Sequence, residues 1–174
     1  MKDILARAAH IKLLVFDVDG VLTDGRLIYG DDGQEYKAFH SRDGHGMKML
    51  QQSGVTVAII TGRNSSVVDH RMTNLGIQHV YQGKADKLPA FEALIGELGL
   101  APEQVAYMGD DVVDLPIMLR AGLAVAPSDA HPLVCQHAHW QTPHAGGQGA
   151  ARDLCELIME AQGTLAREMQ HYLN

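Results

Sequence analysis

The sequence predicts an α/β protein: a three-layer α/β/α sandwich with a mostly parallel, Rossmann-like sheet. Three observations carry that expectation. Residues 13–16 (Leu-Leu-Val-Phe), 57–60 (Val-Ala-Ile-Ile) and 105–108 (Val-Ala-Tyr-Met) are short continuous apolar runs, the pattern of strands buried on both faces. Each run stops at polar residues, and a helix-like segment follows. Strands that alternate with helices along a chain pack as a parallel sheet covered on both sides. A length of 174 residues, 46% of them apolar, suits one domain over 1–174 with a substantial core.

Residues 3–9 read as a short helix leading into the first strand. After Gly20 the chain does not enter a helix directly. Arg26 to Gly30 and Gln34 to Phe39 read as two short strands around Gly30-Asp31-Asp32-Gly33, a hairpin turn. Asp43 is the expected N-cap of a helix from Gly44 to about Gln52, ended by Ser53-Gly54. Strand 55–60 precedes a helix over 65–75; Asn64, Ser65 and Ser66 offer capping oxygens, and Gly76 closes it. A strand at 78–81 leads to helix 86–98, whose Leu88, Phe91, Leu94, Ile95 and Leu98 share one side. Ala101-Pro102 introduces strand 104–108, and a helix over 114–121 tolerates Pro116 in its first turn. Leu123 to Val125 make another strand, followed by a short helix near 130–135 and an edge strand near 138–141. The loop from Thr142 to Gly149 is glycine-rich and is expected to be flexible. The last helix, from 150, carries Leu154, Leu157, Ile158, Ala161 and Leu165 at helical spacing.

A net charge of −7 without a basic run argues against nucleic acid or an anionic membrane as the main partner. No apolar stretch approaches the roughly 20 residues that span a bilayer. Residues 1–12 are mixed and charged, without the apolar core of a signal peptide, so cytoplasmic residence is expected. Cys135 and Cys155 have neither redox nor zinc spacing and read as reduced residues.

The polar residues at the strand ends hold the chemistry. The first strand runs into Asp17 and Asp19, with Gly20 permitting a sharp departure. Two carboxylates at the end of a core strand are unfavourable unless a cation or buried donors offset them. The second runs into Thr61-Gly62-Arg63, and the third into Gly109-Asp110-Asp111, with Asp114 one turn on. Lys87 starts the helix between them. In an open parallel sheet all such ends lie on one edge, where ligands bind. Asp-x-Asp-Gly, Thr, Lys and Gly-Asp-Asp-x-x-Asp, in this order, resemble the four motifs of the haloacid dehalogenase-like phosphatase superfamily.

That resemblance implies phosphoryl transfer. Asp17 is then the nucleophile that forms an aspartyl-phosphate, and Asp19 the acid and base. Thr61, with the Gly62 amide, and Lys87 serve the phosphoryl oxygens. A dianionic phosphate approaching a carboxylate needs a screening cation, and Mg²⁺ suits an all-oxygen site. Asp17, Asp110 and the backbone carbonyl of Asp19 are its implied ligands. Asp111 and Asp114 are left between water-mediated metal contact, ligand orientation and helix capping.

Over nearly its whole length the chain also resembles one branch without a cap domain, the 3-deoxy-D-manno-octulosonate 8-phosphate phosphatases. The resemblance rests on residues 17–25, Lys37-Ala38-Phe39, Arg42-Asp43-Gly44, 59–63, 83–88 and 146–152. It implies substrate contacts from Asp19, His40, Ser41, Arg42, Asp43, Gly44, Lys48, Gly62, Arg63, Arg71 and Lys87. His40-Ser41 departs from the Asn-Val of the branch. The implied substrate carries a carboxylate besides its phosphate, which Arg63 and Arg71 suit as guanidinium forks. A related nine-carbon sugar 9-phosphate, or a non-catalytic regulatory role, are the alternatives. Without a cap the site of one chain would be open. The hairpin, with Leu27, Tyr29, Tyr36 and Phe39, the loop 142–149 and Arg71 are therefore expected to meet neighbouring chains in a homotetramer.

Overall fold

In the computed structural model, which describes residues 1–173, six strands form one sheet in the order β5-β4-β1-β6-β7-β8. They are β1 (Leu13–Phe16), β4 (Thr56–Ile60), β5 (His79–Tyr81), β6 (Val105–Met108), β7 (Leu123–Ala126) and β8 (Trp140–Gln141). Every pairing in it is parallel. β2 (Ile28–Tyr29) and β3 (Glu35–Tyr36) form a separate antiparallel hairpin directly after the first βturn. The fold class is the expected one.

Strand residues alternate between two cores, as a period of two requires. Leu14, Phe16, Val57, Ile59, Ala106 and Met108 face one core, with α1 (Lys2–Ala8), α2 (Ser41–Gln52), α3 (Ser66–Leu75) and α7 (Ala150–Ala161). Leu13, Val15, Ala58, Ile60, Val105 and Tyr107 face the other, with α4 (Leu88–Leu98), α5 (Leu115–Met118) and α6 (Pro132–His137). Burying both faces removes the four residues of β1 from water completely. Each such aliphatic or aromatic side chain contributes about 1.5–3 kcal/mol. No described helix is long and apolar enough to cross a membrane.

Several boundaries differ from the sequence reading, each for a physical reason. Asp43 does not cap α2. His40 does, accepting the Arg42 N–H, and the helix begins at Ser41. Asp43 is buried in the first turn, and its carboxylate accepts the N–H groups of Gly149 (3.3 Å) and Arg152 (2.9 Å). It satisfies orphan donors at the start of α7 instead of its own helix. Ser65 precedes α3 without a side-chain cap; its N–H goes to the Gln82 side chain at 2.8 Å. The expected helix 114–121 is a 3₁₀ turn over residues 112–114 joined to the short α5. Leu165 lies beyond the positive-φ Gly163, in a separate helix α8 (Leu165–Gln170). The hairpin strands are only two residues each.

The glycine-rich loop is not free. The Gly146 N–H donates to Asp129 at 2.9 Å, and the Gly147 N–H to the Val21 carbonyl at 2.9 Å. A Cβ on Gly146 would lie 1.8 Å from the Gly20 carbonyl oxygen, so only glycine allows this approach. The loop clasps the turn after β1 in its own chain.

Candidate active site

Because β1, β4 and β6 are parallel neighbours, the residues after them emerge on one edge of the sheet. The Asp17 N–H donates to the Met108 carbonyl at 3.1 Å, which ties the first loop to β6. Asp17, Asp19, Thr61, Lys87, Asp110 and Asp111 line one cleft of about 450 Å³. Gly62 and Arg63 belong to its wall. A larger hollow, about 630 Å³, sits at the opposite edge near Arg7, His10 and Gln104 and contains none of these groups.

Four ionisable groups are packed at the floor of the cleft. Lys87 Nζ lies 3.0 Å from Asp17 Oδ1 and 2.7 Å from Asp114 Oδ1. The fully buried Asp114 also accepts the Tyr107 hydroxyl on Oδ1 at 2.6 Å. Its Oδ2 accepts the N–H groups of Asp110 and Asp111 at 3.0 and 3.2 Å. Asp114 therefore holds Lys87 and the 109–111 loop in place. Burial pushes the Asp17 carboxyl up to about 6; the Asp114 charge adds to this and Lys87 opposes it. Burial, then Asp17 and Asp114, push Asp110 up to about 7. Burial disfavours the Lys87 ammonium, but Asp17 and Asp114 outweigh it and raise Lys87. The floor carries more negative charge than one ammonium balances.

The residues fit a divalent cation. Oxygens of Asp17, Asp110 and Asp114 lie within 4.8 Å of one another. Asp110 Oδ1 is buried without a hydrogen-bond partner, and Asp17 Oδ1 has only the Lys87 ammonium, 3.0 Å away. Buried acceptors are rarely left so. The Asp114 oxygens are occupied by donors, which leaves Asp17 and Asp110 to face an ion. A donor set of carboxylate oxygens suits Mg²⁺ with several retained waters. Gly20, at φ 86°, makes room: a Cβ there would lie 2.0 Å from Asp110 Oδ2.

Asp19 is half-buried and meets the hairpin. Lys37 Nζ donates to Asp19 Oδ1, and Arg63 Nε lies 3.8 Å from Asp19 Oδ2. Arg63 in turn donates to the Tyr29 hydroxyl and to Glu35, both at 2.7 Å. Lys37 had no assigned role in the sequence reading. Its signal is the spacing of two: Lys37, just past β3, lies 3.5 Å from Glu35, and Tyr36 between them is exposed.

The remaining expected substrate residues do not line this cleft. His40 caps α2, Asp43 caps α7, and Ser41, Arg42 and Lys48 are exposed on α2. Arg71 lies over the Phe39 ring, 5.8 Å from its centroid, and against Gly44. A Cβ on Gly44 would sit 2.2 Å from the guanidinium. Phe39 is thus packed in its own chain and is not available to a neighbouring hairpin.

Comparison with known proteins gives a consistent pattern. A haloacid dehalogenase-like hydrolase model matches residues 76–154. The chain is 50% identical over 163 residues to the 3-deoxy-D-manno-octulosonate 8-phosphate phosphatase KdsC of Escherichia coli K12, covering 94% of this chain and 87% of that protein. It is 52% identical, with a TM-score of 0.99, to a probable YrbI family phosphatase of Pseudomonas syringae, over 100% of this chain and 99% of the other. It is 42% identical, with a TM-score of 0.97, to the Moraxella catarrhalis octulosonate phosphatase solved with magnesium, phosphate and KDO; coverage is 99% of both chains.

Proposed function

The chain belongs to the haloacid dehalogenase-like hydrolases and, within them, to the 3-deoxy-D-manno-octulosonate 8-phosphate phosphatases, and from that membership we propose that residues 1–174 act as one catalytic domain hydrolysing this sugar phosphate to the free sugar acid and phosphate. The observation that supports it most is the convergence of Asp17, Asp19, Thr61, Lys87 and Asp110 on one cleft. An Asp17 oxygen attacks phosphorus, and the bond to the sugar oxygen breaks as Asp19 protonates that oxygen. Asp19 then takes a proton from water, whose oxygen attacks phosphorus and frees Asp17. Lys87 and Thr61 hold the phosphoryl oxygens, and Lys87 also keeps Asp17 oriented. Asp17 and Asp110 would hold Mg²⁺, which would supply the positive charge that lets a dianionic phosphate approach a carboxylate. The compartment is the cytoplasm, in agreement with the absence of a membrane-crossing helix among the described residues.

The experiment is a comparison of sugar phosphates with purified protein and Mg²⁺. Turnover of the eight-carbon 8-phosphate should exceed that of a nine-carbon acidic sugar 9-phosphate. The reverse order would reassign the substrate, and no turnover of any ester would favour a regulatory role.

We also propose a homotetramer whose sites lie between chains. Leu27, Ile28, Tyr29 and Tyr36 are each about half exposed on the hairpin, an apolar surface suited to a second hairpin. Arg71 and residues 40–48 lie off the cleft of their own chain, which suits a role at the site next door. Mixing inactive Asp17→Asn chains with inactive Arg71→Ala chains, under subunit exchange, should recover part of the activity. A light-scattering mass of one chain, or no recovery after proven exchange, would refute the shared site.

A further inference from the structure

Lys37 carries a charge from the hairpin to Asp19, a carboxylate that lines the cleft. Its side chain is 1% exposed, and its ammonium meets Asp19 Oδ1 and, at 3.5 Å, Glu35 Oε1. A lysine loses much side-chain freedom and hydration on such burial, so these contacts must compensate for both. Glu35 is itself fixed by Arg63, which also donates to Tyr29 and lies 3.8 Å from Asp19 Oδ2. The chain of charges Arg63–Glu35–Lys37–Asp19 runs from the loop after β4 through the hairpin to the turn after β1.

We propose that Lys37 is a positioning residue for proton transfer: it fixes the rotation of the Asp19 carboxylate, so that Oδ2 is the oxygen that carries the proton to the leaving group and receives it from water. This rests on the assignment of Asp19 as acid and base. An Asp side chain on a turn rotates about its terminal bond in a broad, roughly two-fold well. A single ammonium on Oδ1 removes that freedom. Lys37 is also held by Glu35, at 3.5 Å, which restrains it independently of the carboxylate. The ladder of β2 and β3 is two residues long and cannot by itself fix the hairpin against the cleft. The ion pairs at Lys37 and Arg63 do so, and the hairpin becomes part of the acid–base apparatus. In the first half-reaction the P–O bond to the alcohol breaks, its electron pair stays on that oxygen, and the Asp19 proton goes there. Misplacing the donor slows this step only where the leaving oxygen needs a proton.

Leaving-group dependence therefore tests the idea. In rapid-mix single turnovers with Mg²⁺, Lys37→Met should slow phosphoryl transfer from an alkyl phosphate by about 10- to 100-fold. Transfer from p-nitrophenyl phosphate, whose leaving group is stable as an anion, should fall by far less. Lys37→Arg, which keeps the charge, should recover most of the alkyl rate. Asp19→Asn sets the ceiling for the loss and should show the same selectivity. Equal loss on both esters in Lys37→Met would mean a general structural role and overturn the proposal, as would an unchanged alkyl rate. The alkyl ester is whichever one the wild-type chain hydrolyses. A wrong sugar assignment then shows as missing wild-type turnover of the octulosonate phosphate, while the ratio between esters stays measurable.

Discussion

The Asp17→Asn protein is expected to fold and to release phosphate at about 10⁻⁴ of the wild-type rate or less. Asparagine has the shape of aspartate, and its neighbours keep their partners: Lys87 retains Asp114, and Asp114 retains Tyr107 and the 109–111 amides. What is lost is the anionic oxygen that attacks phosphorus. Proton transfer and charge stabilisation remain but have no covalent intermediate to serve. Phosphate release in purified protein measures the rate, and acid trapping with labelled substrate measures the phospho-enzyme. A rate near that of the wild type would overturn the assignment of Asp17.

Metal removal should have an effect of comparable size on activity and an opposite signature in stability. Chelation should stop turnover, Mg²⁺ should restore it, and Ca²⁺ should replace it badly, because it takes more ligands at longer distances. Full activity in excess chelator would refute the metal site. Without metal the acidic floor opposes folding at neutral pH. Asp17 and Asp110 are raised from 3.8 to about 6 and about 7 in the folded protein. Between the unfolded and folded values the native state binds more protons than the unfolded chain. Stability therefore falls as pH rises through that window, and above about 7 the penalty is complete. Between pH 5 and pH 7.5 the loss is at most on the order of 4 kcal/mol, or roughly 8–16 °C in Tm. Metal-free protein should melt higher at pH 5 than at pH 7.5 by up to that much, and Mg²⁺ at pH 7.5 should close the gap. Asp110→Asn should flatten the pH dependence. A metal-free Tm that rises with pH over this range would contradict it.

The strand ends were legible because each is local: an apolar run, then a polar residue, in a parallel sheet that sends every such end to one edge. Asp17, Asp19, Thr61, Lys87 and Asp110 could be assigned from that rule and the order of motifs. Asp43 could not. Read locally it is the cap of the nearest helix; its actual partners, Gly149 and Arg152, are far along the chain. Asp114 is left between metal contact and capping by its sequence because its fourth partner, Lys87, lies far from the stretch 107–111 that holds the other three. The loop 142–149 looked free from its composition, yet its glycines are what allow it to press on the turn at Gly20. Lys37 has no readable role in the sequence, since a lysine beside a two-residue strand is ordinarily solvated.

The central place of β1 also bears on how the protein is made. β1 leaves the ribosome early but lies between β4 and β6, which are synthesised later. Its hydrogen-bonding edges and its wholly apolar faces have no partners until those strands arrive. Such non-local pairing is slow, and the waiting strand is a site for association with other nascent chains. Asp17, the proposed nucleophile, follows this strand, and Lys87 and Asp114, which contact it directly or through the shared ammonium, emerge later still. A partly synthesised chain therefore holds Asp17 without Lys87, Asp110 and Asp114, and these gather around it only once β6 pairs with β1.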